Sequence, residues 1–144
     1  MTTTTAAAGI RCHTGTYPAE PSQVGRARAA LVAWLSLLES VLPEWGGWPL
    51  ADEAVLIASE FAANSVLHSA SREGGAFTLR AEAEPDRLRI EVEDAEGPRR
   101  AGARDDSRPH GFDVVAALAG PGNWGIDGDD RGRTAWARLV RPSR

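Results

Sequence analysis

Two neighbouring segments of alternating residues constrain the fold of this 144-residue chain more than any other feature. Apolar and polar side chains alternate from Ala76 to Glu84 and again from Arg87 to Asp94, with Pro85-Asp86 between the two segments. An alternation of period two predicts half-buried strands, and a Pro-Asp pair is typical of a turn. The sequence therefore predicts a β-hairpin.

Helical patterns surround this hairpin. Leu31, Leu35, Leu38 and Leu42 recur at helical spacing and predict an amphipathic helix. The predicted elements outside the hairpin are strands at 10–17 and 133–140 and helices at 26–42, 51–68 and 111–119, with loops at 97–109 and 120–132. This order predicts an α+β sandwich in which helices cover one face of a mixed, mostly antiparallel sheet.

Composition excludes several classes of function. The net charge of −4 gives no overall positive field for nucleic acid or anionic membranes. Because the chain has no lysine, neither a P-loop lysine nor Schiff-base catalysis is available. The single Cys12 cannot form an internal disulfide, which favours a reducing compartment.

The chain is expected to form one domain at residues 10–144, preceded by a disordered tail at residues 1–9. That tail lacks the basic and apolar regions of a signal peptide. Elsewhere no apolar run approaches the roughly 20 residues that a membrane span needs. We therefore expect a soluble, cytoplasmic protein.

The predicted helix at 51–68 carries the most specific functional signal. Glu60, Asn64 and His68 lie four residues apart, so they share one helical stripe that small and apolar residues border. In the functional interpretation, Asn64 offers its carbonyl oxygen to Mg²⁺ and Glu60 polarises an attacking hydroxyl or water. An ordinary solvated polar face would have the same spacing.

Asp94 ends the second strand of the hairpin. Its parity places the carboxylate on the same face as Leu88, Ile90 and Val92, where burial demands a hydrogen-bonding partner. An adenine amino group would be such a partner. Alternatively, Asp94 only opens the turn that follows the strand.

Two weaker signals follow Asp94 along the chain. Gly111 lies at the N-terminus of a predicted helix, where backbone N–H groups can approach a phosphate, although most such glycines only turn the chain. Thr134 lies in the closing strand. Its hydroxyl would form a hydrogen bond to a ligand, or the residue would merely occupy a position in the sheet.

In order and combination, these segments resemble the nucleotide-binding motifs of GHKL (Bergerat-fold, histidine kinase/HSP90-like) ATPase domains. Residues 60–68 resemble the N-box in the form used by anti-sigma-factor serine kinases, where a Glu precedes the Asn by four. Asp94 stands where the first glycine box begins and Gly111 where the second does, and residues 132–136 resemble a terminal motif of the family. The resemblance implies a two-layer α/β sandwich of the GHKL type that binds ATP and Mg²⁺.

The same resemblance implies a role for each matching residue. Glu60 would be the catalytic base toward a serine hydroxyl of a partner, and Asn64 would hold Mg²⁺. Asp94 would accept a hydrogen bond from the adenine amino group, and Thr134 would support it in the same network. The remaining implied nucleotide-binding positions are His68, Gly97, Gly111 and Phe112.

The glycine boxes depart from the family pattern. Glu96 and Pro98 replace the two glycines of the first box, and the second box keeps only Gly111. A Glu enters the left-handed conformation only at a cost and obstructs a closely approaching ligand. The arginine-rich segment between the boxes would hold phosphates through its side chains or be no more than a solvated loop.

Two function hypotheses follow from this pattern. The first is a bacterial, ATP-dependent serine/threonine-protein kinase that regulates transcription by binding a sigma factor or an anti-sigma-factor antagonist, with a possible homodimer. The alternative is a degenerate GHKL domain, a non-catalytic protein-binding regulator with weak or no ATP binding.

Overall fold

The computed structural model describes residues 9–45, 50–69, 75–94, 112–129 and 132–140. Its elements are β1 (Cys12–Pro18), α1 (Pro21–Val41), a 3-10 turn (Pro43–Trp45), α2 (Leu50–Ser69), β2 (Ala76–Glu84), β3 (Arg87–Asp94), α3 (Phe112–Ala119), β4 (Trp124–Asp129) and β5 (Gly132–Val140). Several predictions lie outside the described residues: those for residues 1–8 of the predicted tail at 1–9, the loop at 97–109, Gly97, Gly111 and the side chain of His68.

The five strands in the described part of the chain form one sheet in the order β1-β2-β3-β5-β4. The predicted hairpin is present, and in it Glu84 pairs with Arg87 and Phe77 with Asp94. All four described pairings are antiparallel, so the sheet is antiparallel rather than mixed. With the helices packed against it, the sheet forms the predicted α+β sandwich.

The strand β4 corrects the prediction of a loop over residues 120–132. Its sequence, Trp-Gly-Ile-Asp-Gly-Asp, is poor in strand-forming residues, yet it pairs along the edge of β5. Gly125 lies beneath the Trp136 ring, where a Cβ would come within 3.0 Å of it. Gly128 has a φ of 114°, which side chains rarely tolerate. The strand therefore forms despite its local sequence, because the edge of β5 supplies backbone hydrogen-bonding partners.

The helix α1 begins at Pro21, five residues before the predicted start at Arg26. Proline suits the first turn of a helix, because its missing N–H would have no partner there and its φ is already helical. None of the helices in the described ranges is long and apolar enough to cross a membrane.

The core lies between the sheet and the helices. Its fully buried large side chains are Leu31 and Leu38 of α1, Ile57 and Phe61 of α2, Val115 of α3, and Phe77, Leu79, Leu88, Ile90 and Val92 of the sheet. The opposite face of the sheet is charged, and there Arg80 pairs with Glu91 at 3.4 Å and with Glu93 at 3.2 Å. The sheet therefore has one covered face and one solvent-facing face.

Candidate functional site

A pocket lies on the covered face, where β3 ends. The residues that line it are Phe61, Asn64, Ser65 and Leu67 of α2, Val92 and Asp94 of β3, Phe112 of α3, Ile126 of β4, and Arg133 and Ala135 of β5. It is an open cleft of about 420 Å³, a volume that includes space open to solvent. The pocket brings together three of the predicted site residues, Asn64, Asp94 and Phe112.

Asn64 is oriented by its own helix. Its side-chain Nδ2 donates a hydrogen bond of 2.8 Å to the backbone carbonyl oxygen of Glu60. This bond fixes the donor end of the amide against the helix, so Oδ1 is the end that suits a hard cation. Glu60 itself is half-buried one turn earlier on the same stripe, and it is not among the residues that line the pocket.

Asp94 is buried as its parity predicts, with 7% of its surface exposed. Its Oδ2 lies 3.8 Å from Nε of Arg133, which enters the pocket from the neighbouring strand β5. A cation beside a buried carboxylate offsets part of the desolvation of the carboxylate. Arg133 directly precedes Thr134 in the motif at 132–136, but the family resemblance assigns a role only to Thr134.

Thr134 lies on the other face of the sheet. It pairs with Glu93 in the β3–β5 ladder, and Glu93 is on the solvent-facing side. The structure therefore does not bring Thr134 to Asp94, and Arg133 is the β5 side chain that lies beside Asp94. Alternate residues of a strand share a face, so Arg133 lies on the same face as the buried Ala137 and Leu139. This alternation is visible in the sequence.

Aromatic and aliphatic side chains form the apolar part of the pocket. Phe112 packs edge-on against Phe61, with ring centroids 5.5 Å apart, and against Trp124 at 5.8 Å. Leu67 and Ile126 also line the pocket, yet 57% and 39% of their surfaces are exposed. Such a combination suits a flat, largely apolar ring that carries a few polar atoms.

Comparison with known proteins identifies the family of this fold. Residues 17–127 match the family model described as the histidine kinase-like ATPase domain, which covers more than half of the chain. The chain belongs to this family. The resemblance to GHKL ATPase domains is thereby confirmed.

A solved structure has the same fold as this ATPase domain. It is the crystal structure of the RsbU and RsbW domains of Rv1364c from Mycobacterium tuberculosis, with a TM-score of 0.63 and 21% sequence identity. The match covers 92% of this chain but 33% of that chain, so our chain spans about a third of its length. No curated protein matches the sequence.

The polar groups of this ATPase domain fit Mg²⁺ better than a transition metal. Within the described ranges, no cluster of three or more His, Cys, Asp or Glu side chains could hold a metal ion. Mg²⁺ needs no such cluster, because it keeps several waters and takes one or two protein ligands besides the substrate phosphates. The amide oxygen of Asn64 is a ligand of that kind.

Proposed function

We propose that this ATPase domain binds Mg-ATP in the pocket and phosphorylates a serine or threonine of a partner protein. The observation that carries the proposal is the meeting of Asn64 and Asp94 in one pocket. They come from different elements, a helix and a strand that are separated in sequence, and each stands at its expected position in the family's motifs. A solvated polar helix face and a simple turn residue would have no reason to line the same cavity.

The base of the nucleotide would occupy the Asp94 end of the pocket. An adenine amino group would donate to the Asp94 carboxylate, whose Oδ2 lies 3.8 Å from Nε of Arg133. The apolar faces of the ring would contact aliphatic and aromatic side chains such as Ile126 and Phe112. These contacts give both the burial and the polar specificity that small-molecule sites need.

The phosphates would extend toward Asn64. Bound Mg²⁺ neutralises phosphate charge and orients the transferred phosphoryl group. Asn64 would supply its amide oxygen to the ion, because its amide nitrogen is already bonded to the helix backbone. Glu60, one turn earlier, would accept the proton of the attacking hydroxyl as the new O–P bond forms and the bond to ADP breaks.

The proposed partner is a sigma factor or an anti-sigma-factor antagonist, in a cytoplasmic system that regulates transcription. The similarity to a structure that contains an RsbW domain supports this class of regulator. The helix α1 offers a surface for a partner or for a second copy of the chain. It leaves Val32, Leu37 and Val41 about half exposed, and apolar side chains are common at the centre of protein interfaces.

A second candidate function is a non-catalytic regulator that keeps the fold and the partner surface. Two observations favour it. Glu60, the proposed base, is not among the residues that line the pocket. In addition, Glu96 and Pro98 occupy the positions where the family's first glycine box has glycines. This candidate predicts partner binding that does not depend on ATP.

Calorimetric titration of the chain with ATP in the presence of Mg²⁺ tests the first step. We expect saturable binding that Asp94→Asn weakens by roughly tenfold or more, since hydrogen bonds to charged groups are worth about 1.5–3 kcal/mol. Asn64→Ala should remove the contribution of Mg²⁺ to affinity. Glu93→Gln is the matched control, because Glu93 is the neighbouring carboxylate on the opposite face, and it should bind ATP as the wild type does.

The kinase step needs a second measurement. Glu60→Gln should retain ATP binding and lose phosphoryl transfer to a serine-containing partner. Absence of binding at millimolar ATP would refute both the nucleotide site and the kinase. Normal ATP binding with no transfer by the wild type to any candidate partner would favour the non-catalytic regulator.

A further inference from the structure

One polar side chain of the pocket has no role in the proposed function. The hydroxyl of Ser65 is buried, with 4% of the residue exposed, and it makes no hydrogen bond to any described residue. It lies in the wall of the same pocket as Asp94. A buried hydroxyl without a partner costs the desolvation of that group. The position therefore suits a ligand that supplies the missing bond.

A second serine on the same helix shows that this arrangement is not imposed by helix geometry. Ser59 donates to the backbone carbonyl oxygen of Val55 at 2.7 Å, the usual bond of a serine within a helix. Ser65 does not form the equivalent bond. Alanine would also be the better helix former at this position. Local structure thus gives no reason for a hydroxyl at Ser65, whereas a ligand in the pocket would.

The chemistry of the neighbouring groups indicates which ligand atom Ser65 would meet. The Asp94 carboxylate can only accept hydrogen bonds, so a ligand group that bonds it must be a donor, such as the exocyclic amino group of adenine. In adenine, the atoms that flank this amino group are ring nitrogens that accept. A hydroxyl that donates and a carboxylate that accepts, both in the wall of one pocket, are therefore complementary to this edge of the base.

We propose that the Ser65 hydroxyl donates to a ring nitrogen that flanks the adenine amino group, N1 or N7, while Asp94 accepts from the amino group itself. Ser65 is then a base-recognising residue, and with Asp94 it selects a 6-aminopurine. This proposal rests on the proposed binding of ATP and adds a contact to it. It leaves the Mg²⁺ end of the site, at Asn64, unchanged.

The test is a cycle of two variants and three nucleotides. Ser65→Ala and the control Ser59→Ala are titrated with ATP, 1-deaza-ATP and 7-deaza-ATP in the presence of Mg²⁺, and the stability of each ligand-free protein is measured by thermal denaturation. We expect Ser65→Ala to bind ATP about three- to tenfold more weakly, the usual worth of one hydrogen bond. Its thermal stability should equal or exceed that of the wild type. Ser59→Ala should keep the wild-type affinity for all three nucleotides.

The deaza nucleotides distinguish loss of the Ser65 hydrogen bond from a nonspecific loss of nucleotide binding. With the analogue that lacks the bonded nitrogen, the wild type and Ser65→Ala should have equal affinities, whereas with the other analogue the loss should persist. Equal loss with all three nucleotides, or no loss with ATP, would overturn the role of Ser65 and leave ATP binding intact. A wild type that binds no ATP would overturn the proposed function and this inference together.

Discussion

The two faces of the sheet carry the same kinds of charged residue but use them differently. On the solvent-facing side, Arg80 pairs with Glu91 and Glu93 at 3.2–3.4 Å, all of them partly exposed. On the covered side, Asp94 lies beside Arg133 at the edge of a largely apolar core. Exposed ion pairs contribute little to stability, whereas a buried polar group needs a specific partner. The face on which a residue lies, rather than its type, therefore indicates whether it takes part in the site.

Neighbouring residues on one strand make this comparison testable. Glu93 and Asp94 point to opposite faces of β3, and Arg133 and Thr134 point to opposite faces of β5. The two members of each pair are adjacent in sequence, so they have similar backbone surroundings. Substituting each member of a pair in turn compares the two faces at adjacent backbone positions.

The largest expected difference between the faces is in stability. Ile90→Ala removes a side chain with no exposed surface and should lower the free energy of unfolding by about 2–5 kcal/mol. Arg89→Ala, on the other face, loses an ion pair with Glu91 and a contact with the Trp136 ring, and should cost about 1 kcal/mol or less. Urea denaturation measures both. Equal losses would show that a side chain on the solvent-facing side contributes as much to stability as one in the core.

The hairpin and Asp94 were predictable from sequence because burial of one face imposes strict alternation. β2 and β3 have the predicted bounds, and Asp94 is buried as its parity requires. β4 was not predictable, since its glycines and aspartates favour loops and only the edge of β5 holds them in a strand. Pairing of this kind depends on the neighbouring strand, so the strand propensity of the segment itself does not predict it.

The orientation of β5 was harder to infer for a different reason. Trp136 is apolar, so it suggests that its own parity, shared with Thr134, faces the core. In the structure Trp136 lies on the outer face, where the guanidinium groups of Arg89 and Arg138 each lie 5.0 Å from its ring. These contacts stabilise an aromatic ring outside the core.

The next largest expected difference is in the ATP affinity of variants of Arg133 and Thr134, which are neighbours in β5. Arg133→Gln should weaken ATP binding severalfold, because it removes from the pocket the cation that lies beside the Asp94 carboxylate. Thr134→Val should leave affinity within about twofold, since Thr134 faces away from the pocket. Calorimetry with Mg-ATP measures both. A strong effect of Thr134→Val with none of Arg133→Gln would reverse the orientation assigned to β5.

The smallest expected effect concerns pH and His13, on the helix-facing side of β1. His13 stacks on Trp34 with ring centroids 5.7 Å apart, and its buried Nε2 has no hydrogen-bond partner among the described residues. Burial lowers the pKa of His13 below its ordinary value of 6.5. The unfolded chain therefore binds more protons than the folded chain as the pH falls through 6.5, and stability should decrease on acidification.

Urea denaturation of the wild type and His13→Gln between about pH 7.5 and 5.5 isolates this contribution. Every other titrating group is common to both proteins, so the difference between their pH profiles belongs to His13. We expect the wild type to lose more stability than His13→Gln over this range, by a modest amount because the imidazole is half-buried. Thr14→Val, one residue along β1 and exposed, should follow the wild-type profile. Parallel profiles for the wild type and His13→Gln would mean that the imidazole is as well solvated as the outer-face side chains, and the contrast between the two faces would then not extend to β1.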